Sequence, residues 1–493
     1  MAGRTLDVYM DGAHAGTLAM TSAGSITFSY DGAYRNAAGS TPLSLSMPKV
    51  TARHRQRVVL PFIQGLLPDN EKALASLATT YQVSARSPFA ILEHVGGDVA
   101  GALQLLPPER ESTDATADRA ALEPISEDEV TDDLSRVIDA YRTGAPLRGR
   151  ERMRISLAGA QPKIALVALP DGSWARPGPG APTTHILKPE YSVPRTAADE
   201  QYPGLTTVEA FSLAVARHAG LRTPAARTWT SPDGQLRALV VERYDRHLGP
   251  DGVVHRGHQE DLCQALAVPP EKKYQHLDGG PGVGAVGELL RQRLQPSDRI
   301  EVARDFLALL TLNIALVNTD AHAKNYSLLL DGDTVELAPA YDVLSIAPYE
   351  KPEDAAVNGP LTFPMRIGDD YRISGMHGAV IAAEGRRLGL TAEESQDVVD
   401  GVLTAVPGAL EQARKDVEQI PGGTKIADAT IRNLRDISPL HPEPAKVTDF
   451  SPAASPAGPA RPARARTTPA STPGSSAPHV RGEAGSTLND PQA

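Results

Sequence analysis

The 493-residue chain has a single cysteine, Cys263, which excludes an intramolecular disulfide framework. It has no long apolar run. The strongest candidate, Phe306 to Val317, falls short of the roughly 18 residues of a membrane span and contains Asn313, so it reads as a buried helix. Positive charge is not in excess: a formal net charge of -11 and a pI near 5.7 argue against a surface that coats nucleic acid non-specifically, leaving DNA contact to a local patch or a partner. Met1 to Asp11 has neither a basic nor an apolar leader region, which predicts a cytoplasmic protein. There is no Gly-x-Ser-x-Gly elbow and no paired-histidine motif. Cys263 and the histidines lack metal-ligand spacing, and His255 and His258 read as surface histidines. Hydrolase and zinc chemistry are therefore set aside.

The pattern that is present divides the chain. Residues 5–32 alternate apolar and polar positions (Leu6, Val8, Met10; Ile26, Phe28, Tyr30) with Asp11-Gly12 and Asp31-Gly32 as turn signals, predicting short strands. From Val58 to Val95 the spacing turns helical, and Ser87-Pro88 supplies an N-cap and a first-turn proline, with Gly96-Gly97 as the stop. Residues 107–132 are acidic and poor in large apolar side chains, which predicts a solvated connector. Strands are expected at Ile164 to Ala168, Thr184 to Lys188 and Leu239 to Val241, with a helix from Val208 to His218. Beyond Gln259 helices dominate, notably Arg299 to Val317. The expected division is a β-rich subdomain with helices at 1–107, an acidic connector at 108–148, a small lobe at 149–258, a helical lobe at 259–440 and a Pro/Ala/Ser-rich disordered tail at 441–493.

Within this frame, Asp320 is followed five residues later by Asn325, and Asp342 comes soon after in Tyr341-Asp342. A carboxylate that accepts a hydroxyl proton, followed by an amide and a second carboxylate that hold Mg²⁺, is what a phosphotransferase needs. Ser156 to Lys163 places small residues before a strand, where backbone N–H groups approach a polyphosphate, although it is neither a Walker A loop nor a Gly-x-Gly-x-x-Gly loop. Lys188 ends the next strand, where a kinase keeps a phosphate-pairing lysine. Glu242-Arg243-Tyr244-Asp245 follows a further strand, where kinase lobes join. Taken singly, the last three are equally a turn, a solvated lysine and a charged strand end. His322 and Lys324 could touch phosphate or be structural.

Taken together in one order over roughly residues 5–430, these segments resemble the HipA family of bacterial serine/threonine kinases, the toxin half of HipBA-type toxin–antitoxin modules. The resemblance also includes Gln259 to Gln264, Lys273-Tyr274 and Asp278 to Gly282. It implies an α+β, two-lobed protein-kinase-like fold with an N-terminal β-rich subdomain and a mostly α-helical C-terminal lobe. It implies Asp320 as general base, Asn325 and Asp342 as Mg²⁺ ligands, and Ala158, Gly159, Ala160, Gln161, Pro162 and Lys163 as the ATP phosphate loop. Lys188, Ala323 and Lys324 join the ATP site, and Glu242, Arg243, Tyr244, His322 and Tyr341 surround the adenine. Ser156 would be self-phosphorylated, ejecting the loop as an off switch. The implied partners are a HipB-like helix-turn-helix antitoxin, operator DNA mainly through that antitoxin, and a protein substrate such as glutamyl-tRNA synthetase, whose modification arrests growth and gives drug tolerance. No membrane partner is implied. Two other readings stay open: a small-molecule phosphotransferase of the aminoglycoside or choline type, and an ATP-sensing corepressor acting through a DNA-binding antitoxin.

Overall fold

The computed structural model describes residues 3–108, 122–147, 159–178, 181–192, 195, 202–249, 253–350 and 359–439. Arg4–Met10 (β1) and Ala13–Met20 (β2) form a hairpin because Asp11 and Gly12 both take positive φ, 42° and 84°, the geometry that matches strand twist. Ile26–Tyr30 (β3), Arg53–Arg55 (β4) and Leu103–Leu106 (β5) complete an antiparallel sheet in the order β4-β3-β2-β1-β5. Leu6, Val8, Met10, Ile26 and Phe28 all point to its buried face. Asp31 is not a hairpin turn. Its carboxylate caps the short helix Gly32–Asn36 (α1) by accepting from the N–H groups of Ala33 and Tyr34.

The helices Gln56–Gly65 (α2) and Pro88–Val95 (α4) cover that face, and Glu71–Tyr81 (α3) packs against α4. Ser87 Oγ caps α4 through the N–H of Ala90, and Gly96 ends it, as the spacing predicts. The expected solvated connector is corrected over its described part. Glu123–Ile125 is a strand (β6) and Glu127–Thr143 a 17-residue helix (α5). The acidic residues Glu127, Asp128 and Glu129 occupy the first helical turn, where the helix dipole favours negative charge, and Ser126 with Glu129 closes a capping box. Val130, Leu134, Val137, Ile138 and Tyr141 then bury one face, each fully buried large side chain adding about 1.5–3 kcal/mol. That stripe begins where the acidic run ends.

Ile164–Ala168 (β7), Trp174–Arg176 (β8), His185–Tyr191 (β9), Ala226–Thr230 (β10) and Leu236–Glu242 (β11) join β6 in a six-stranded antiparallel sheet, ordered β10-β11-β9-β7-β8-β6. The helix Leu205–His218 (α6) packs on β9, β10 and β11. One apolar cluster runs from Leu6 through Leu134 to Val240, so the N-terminal sheet, α5 and this second sheet share a core. A buried charge cluster stitches them: Asp98 accepts from Arg246 Nη2 at 2.9 Å, from Thr183 Oγ1 at 2.7 Å and from Arg243 Nη1 at 3.5 Å, while Arg243 also grips Asp245 through two N–H groups.

The hairpin Arg246–Leu248 (β12) and Val254–Arg256 (β13) leads to His258–Asp261 (β14), which pairs with Ser327–Asp331 (β15) beside Thr334–Leu337 (β16). His258 is buried, not a surface residue: Nε2 lies 3.0 Å from the Leu43 carbonyl, and burial pushes its pKa down to about 4. Its neighbour Glu260 is also buried and is pushed up to about 8, mainly by desolvation, although Oε1 accepts from the Leu45 N–H at 2.8 Å. A carboxyl whose folded pKa lies above its unfolded one stabilises fully at low pH and loses that contribution as pH rises from about 4.5 to about 8. Glu260→Gln, which cannot ionise, should therefore gain stability on the parent by about 2 kcal/mol or more between pH 5 and pH 8.5 in parallel denaturant titrations.

A second apolar cluster holds the helical lobe. Its helices are Leu262–Ala265 (α7), Gln275–Asp278 (α8), Val283–Arg293 (α9), Pro296–Ala315 (α10), Gly378–Leu388 (α11), Ala392–Asp416 (α12) and Gly423–Ile437 (α13), beside the hairpin Thr362–Ile367 (β17) and Asp370–Arg372 (β18). Among the described residues no helix is long and apolar enough to cross a membrane. The segment around Asn313 is the buried end of α10. The expected disordered tail lies outside the described residues.

Candidate active site

Helix α10 ends at Ala315 with Leu316 as its cap, and Val317 then takes φ +52°, a left-handed conformation that a β-branched residue adopts only when its surroundings impose it. Buried asparagines impose it here. Asn313 Oδ1 accepts from Asn318 Nδ2 at 2.8 Å, and Asn318 Oδ1 accepts from the Asp320 N–H at 3.1 Å. Asn325, at the end of the 3₁₀ turn Ala323–Asn325, donates through Nδ2 to the Asp320 carbonyl at 2.8 Å. The main chain of Asp320 is thus held from both sides, while its side chain stays exposed and its carboxylate accepts from the Tyr274 hydroxyl. Desolvation by the surrounding protein pushes the Asp320 carboxyl up despite that hydrogen bond.

Asp342 arrives from beyond β16, with φ +50°. Its carboxylate pairs with Lys188 of β9, whose Nζ also lies 2.6 Å from Glu209 of α6. Burial opposes both charges, but Lys188 and Lys163 hold the Asp342 carboxyl well below the usual range, and Asp342 with Glu209 holds the Lys188 ammonium well above its own. A strand lysine, a helix glutamate and a distal aspartate therefore form one buried cluster; burial pushes the Glu209 carboxyl up, and the Lys188–Asp342 pair links β9 to the segment after β16.

These residues line one cavity of about 130 Å³ together with Gly159, Lys163, Glu242, Arg243, Tyr244, His322, Lys324, Asn325 and Tyr341. The structure thus brings together most of the residues expected around a nucleotide. Others lie elsewhere. Ala160, Gln161 and Pro162 border a neighbouring hollow against Tyr141 and Glu190; Ala323 is buried off the cavity; Asp320 stands outside its lining. Ser156 and Ala158 fall outside the described residues. Arg243 borders the cavity, but its guanidinium is engaged by Asp245, Thr183 and the Val99 carbonyl, which suits holding the segment rather than reaching a ligand. Lys324 faces Asp69, with Nζ 2.5 Å from Oδ1, so the structural role is the one its position favours. Tyr244 packs on Tyr341 with ring centres 5.8 Å apart and donates its hydroxyl to Gln259, which satisfies that buried polar group. His322 is driven down to about 3, chiefly by burial, and is neutral at physiological pH.

Sequence reasoning missed Glu209, Asp69 and the hydrogen bond from Tyr274 to Asp320. Glu209 had a signal: it is the only acidic residue of Leu205–His218 and is buried among apolar neighbours, where an unpaired carboxylate would be untenable. Asp69 had none, since its partners Lys273 and Lys324 lie more than two hundred residues away. The oxygens of Asn325 and Asp342 fit Mg²⁺: both are hard donors on one cavity, and the amide nitrogen of Asn325 is engaged by the Asp320 carbonyl, leaving its oxygen as the donor atom.

A sheet-rich lobe carrying a lysine–glutamate pair and a helical lobe carrying Asp and Asn on one loop, joined across the Lys188–Asp342 contact, define a two-lobed protein-kinase-like α+β fold. Comparison with known proteins narrows the class. The HipA-like C-terminal domain matches residues 155–410 and the HipA N-terminal domain matches residues 6–106. Y4mE of Sinorhizobium fredii is 39% identical over 417 residues, covering 83% of this chain and 93% of that protein. The serine/threonine-protein kinase toxin HipA of Shewanella oneidensis is 28% identical over 391 residues, covering 76% and 81%. A HipA from Shewanella oneidensis MR-1, solved with HipB and its operator DNA, shares the fold at a TM-score of 0.69 and 23% identity, covering 87% of this chain and 96% of that one. The chain belongs to the HipA family.

Proposed function

We propose that the chain is an ATP-dependent serine/threonine protein kinase and the toxin of a type II toxin–antitoxin module in the cytoplasm. The observation that carries this reading is the convergence of the Lys188–Glu209 pair, Asn325 and Asp342 on one cavity, with the main chain of Asp320 tied to Asn325. Lys188 orients the α/β-phosphates of ATP, and Tyr244 with Tyr341 lies beside the adenine. Asn325 and Asp342 would hold Mg²⁺, which when bound would neutralise charge on the transferring phosphoryl group. Asp320 accepts the acceptor's hydroxyl proton as the new oxygen–phosphorus bond forms and the bond from the γ-phosphorus to the β–γ bridging oxygen breaks, leaving ADP. The cavity is smaller than an ordinary ligand site of about 300–1,000 Å³. The Lys188–Asp342 contact is the one a bound triphosphate would part.

The proposed target is an aminoacyl-tRNA synthetase, with glutamyl-tRNA synthetase the first candidate, and growth arrest the consequence. Ser156 is the proposed autophosphorylation site and off switch. The proposed partner is a HipB-like antitoxin that carries most of the operator contact; the HipA solved with HipB and operator DNA supports such an assembly. Residues 1–107, 149–258 and 259–440 are the proposed accessory subdomain, nucleotide lobe and catalytic lobe, with 441–493 as the tail. The test is transfer from γ-labelled ATP to purified glutamyl-tRNA synthetase in parallel with kanamycin and choline. Labelled protein is expected; label on the small molecules alone would replace this reading with the small-molecule phosphotransferase.

A further inference from the structure

The link between α2 and α3 brings one N-terminal carboxylate to the nucleotide cavity. Among the described residues, Gly65, Asp69 and Ala100 are the part of the cavity lining that comes from the N-terminal subdomain, and of these only Asp69 carries charge. Its main chain is fixed on both sides. The next residue, Asn70, caps α3 by accepting from the Ala73 N–H at 3.0 Å, and the Asp69 N–H donates at 3.1 Å to the carbonyl of Gly159, in the segment read as the phosphate loop. The side chain reaches the helical lobe, with Oδ1 2.5 Å from Lys324 Nζ and Oδ2 3.0 Å from Lys273 Nζ. Burial alone would raise the Asp69 carboxyl, but Lys324 and Lys273 outweigh it and hold it below the usual range. Lys324 stands in the cavity wall, in the loop between Asp320 and Asn325. The other carboxyl near it, Asp261, is committed to capping α7, where it accepts from the Gln264 N–H at 2.9 Å. One N-terminal residue thus meets the phosphate segment through its main chain and the Asp320–Asn325 loop through its side chain.

We infer that Asp69 is a positioning residue through which the N-terminal subdomain sets the charge at the phosphate end of the cavity, holding the Lys324 and Lys273 ammonium groups away from a bound polyphosphate. The inference rests on the kinase reading above. A buried ammonium that loses its carboxylate takes the nearest anion, and for Lys324 in the cavity wall that anion is the triphosphate of ATP. Such a contact is made in full by ground-state ATP, so it tightens nucleotide binding without speeding transfer. It also pulls on the residue before Asn325, whose own carbonyl is held by the Tyr341 hydroxyl at 2.7 Å. Asp69 prevents both effects, and the N-terminal subdomain is in this sense a working part of the nucleotide site.

The test uses the full chain and two ligands, MgATP and adenosine. Asp69→Asn keeps the side-chain shape and the N–H that meets Gly159, and removes only the charge. By equilibrium titration it should bind MgATP about five- to tenfold tighter than the parent, with adenosine affinity unchanged within about twofold. In transfer assays its kcat should fall by about tenfold, and its KM for ATP should fall as well. Asp69→Glu, which keeps the charge, should bind MgATP within about threefold of the parent and recover part of the lost kcat. Combining Asp69→Asn with Lys324→Met removes the excess charge, so it folds even if the single variant does not, and should return MgATP affinity to within about threefold of the parent. A residue that merely held the fold together would weaken MgATP binding when replaced. Unchanged or weaker MgATP binding by Asp69→Asn, an adenosine affinity that moves with that for MgATP, or a double variant that binds MgATP more than about tenfold more weakly than the parent would overturn the inference. The titrations need no phosphoryl transfer, so the two readings fail separately: a parent that binds MgATP but labels no acceptor sinks the kinase reading alone.

Discussion

Replacing Asp320 by Asn is expected to reduce phosphoryl transfer by about 10²–10⁴-fold while ATP affinity stays within about threefold of the parent. The separation follows from where Asp320 sits. Its side chain is outside the lining of the nucleotide cavity, so the amide removes a proton acceptor without changing the walls that meet ATP. Nor should the loop move. Asn318 accepts from the N–H of residue 320 and Asn325 donates to its carbonyl, and the substitution leaves both groups intact. Single-turnover transfer and equilibrium nucleotide titration, run on one preparation, measure the two quantities. Wild-type transfer by the variant would remove Asp320 from the chemistry, and loss of ATP binding would mean that the side chain is part of the nucleotide site.

The largest expected effect on stability is at Asp98. This carboxylate is buried and its pKa is held down: burial alone would raise it, but Arg243, Arg246 and Arg256 outweigh that. Asp245 is similarly depressed by Arg243 and Arg246, so both carboxylates sit among the same buried guanidinium groups. Asp98→Ala takes the shared carboxylate from Arg243 and Arg246 and also strips the Thr183 N–H and hydroxyl of their acceptor. A loss of about 3–5 kcal/mol is expected, read as a lowered denaturation midpoint. Asp98→Asn, which can still accept from Thr183, should lose less. Because Asp98 belongs to the N-terminal subdomain and its arginines to the segment after β11, the variant should also loosen the junction between that subdomain and the six-stranded sheet. A shift near zero would show that Asp245 alone neutralises the cluster.

Much of this architecture was legible in the sequence because its signals are local. The Asp11-Gly12 turn, the Ser87 cap and the alternation in β1 and β3 each depend on neighbours a few residues away. The order Asp320, Asn325, Asp342 was legible because one loop and one following turn carry all three. Helix α5 was misread because an acidic first turn resembles a solvated linker, and its apolar stripe emerges only when read from Val130 onward. His258 was misread for a related reason: burial depends on β14 pairing with β15, seventy residues further on, and on the distant Leu43 carbonyl. The pairings of Lys188 with Glu209, Asp69 with Lys273, and Asp98 with Arg246 are likewise made by the fold and not by spacing.

The central claim is that Asn325 and Asp342 hold a divalent cation against the phosphates of ATP beside Asp320. Diffraction from crystals grown with Mn²⁺ and a non-hydrolysable ATP analogue, recorded at the manganese edge, tests it most directly. The account predicts an anomalous peak within bonding distance of the Asn325 amide oxygen and the Asp342 carboxylate, with Lys188 turned from Asp342 toward the phosphates. Manganese bound away from both residues, or an analogue seated outside the cavity they line, would contradict it.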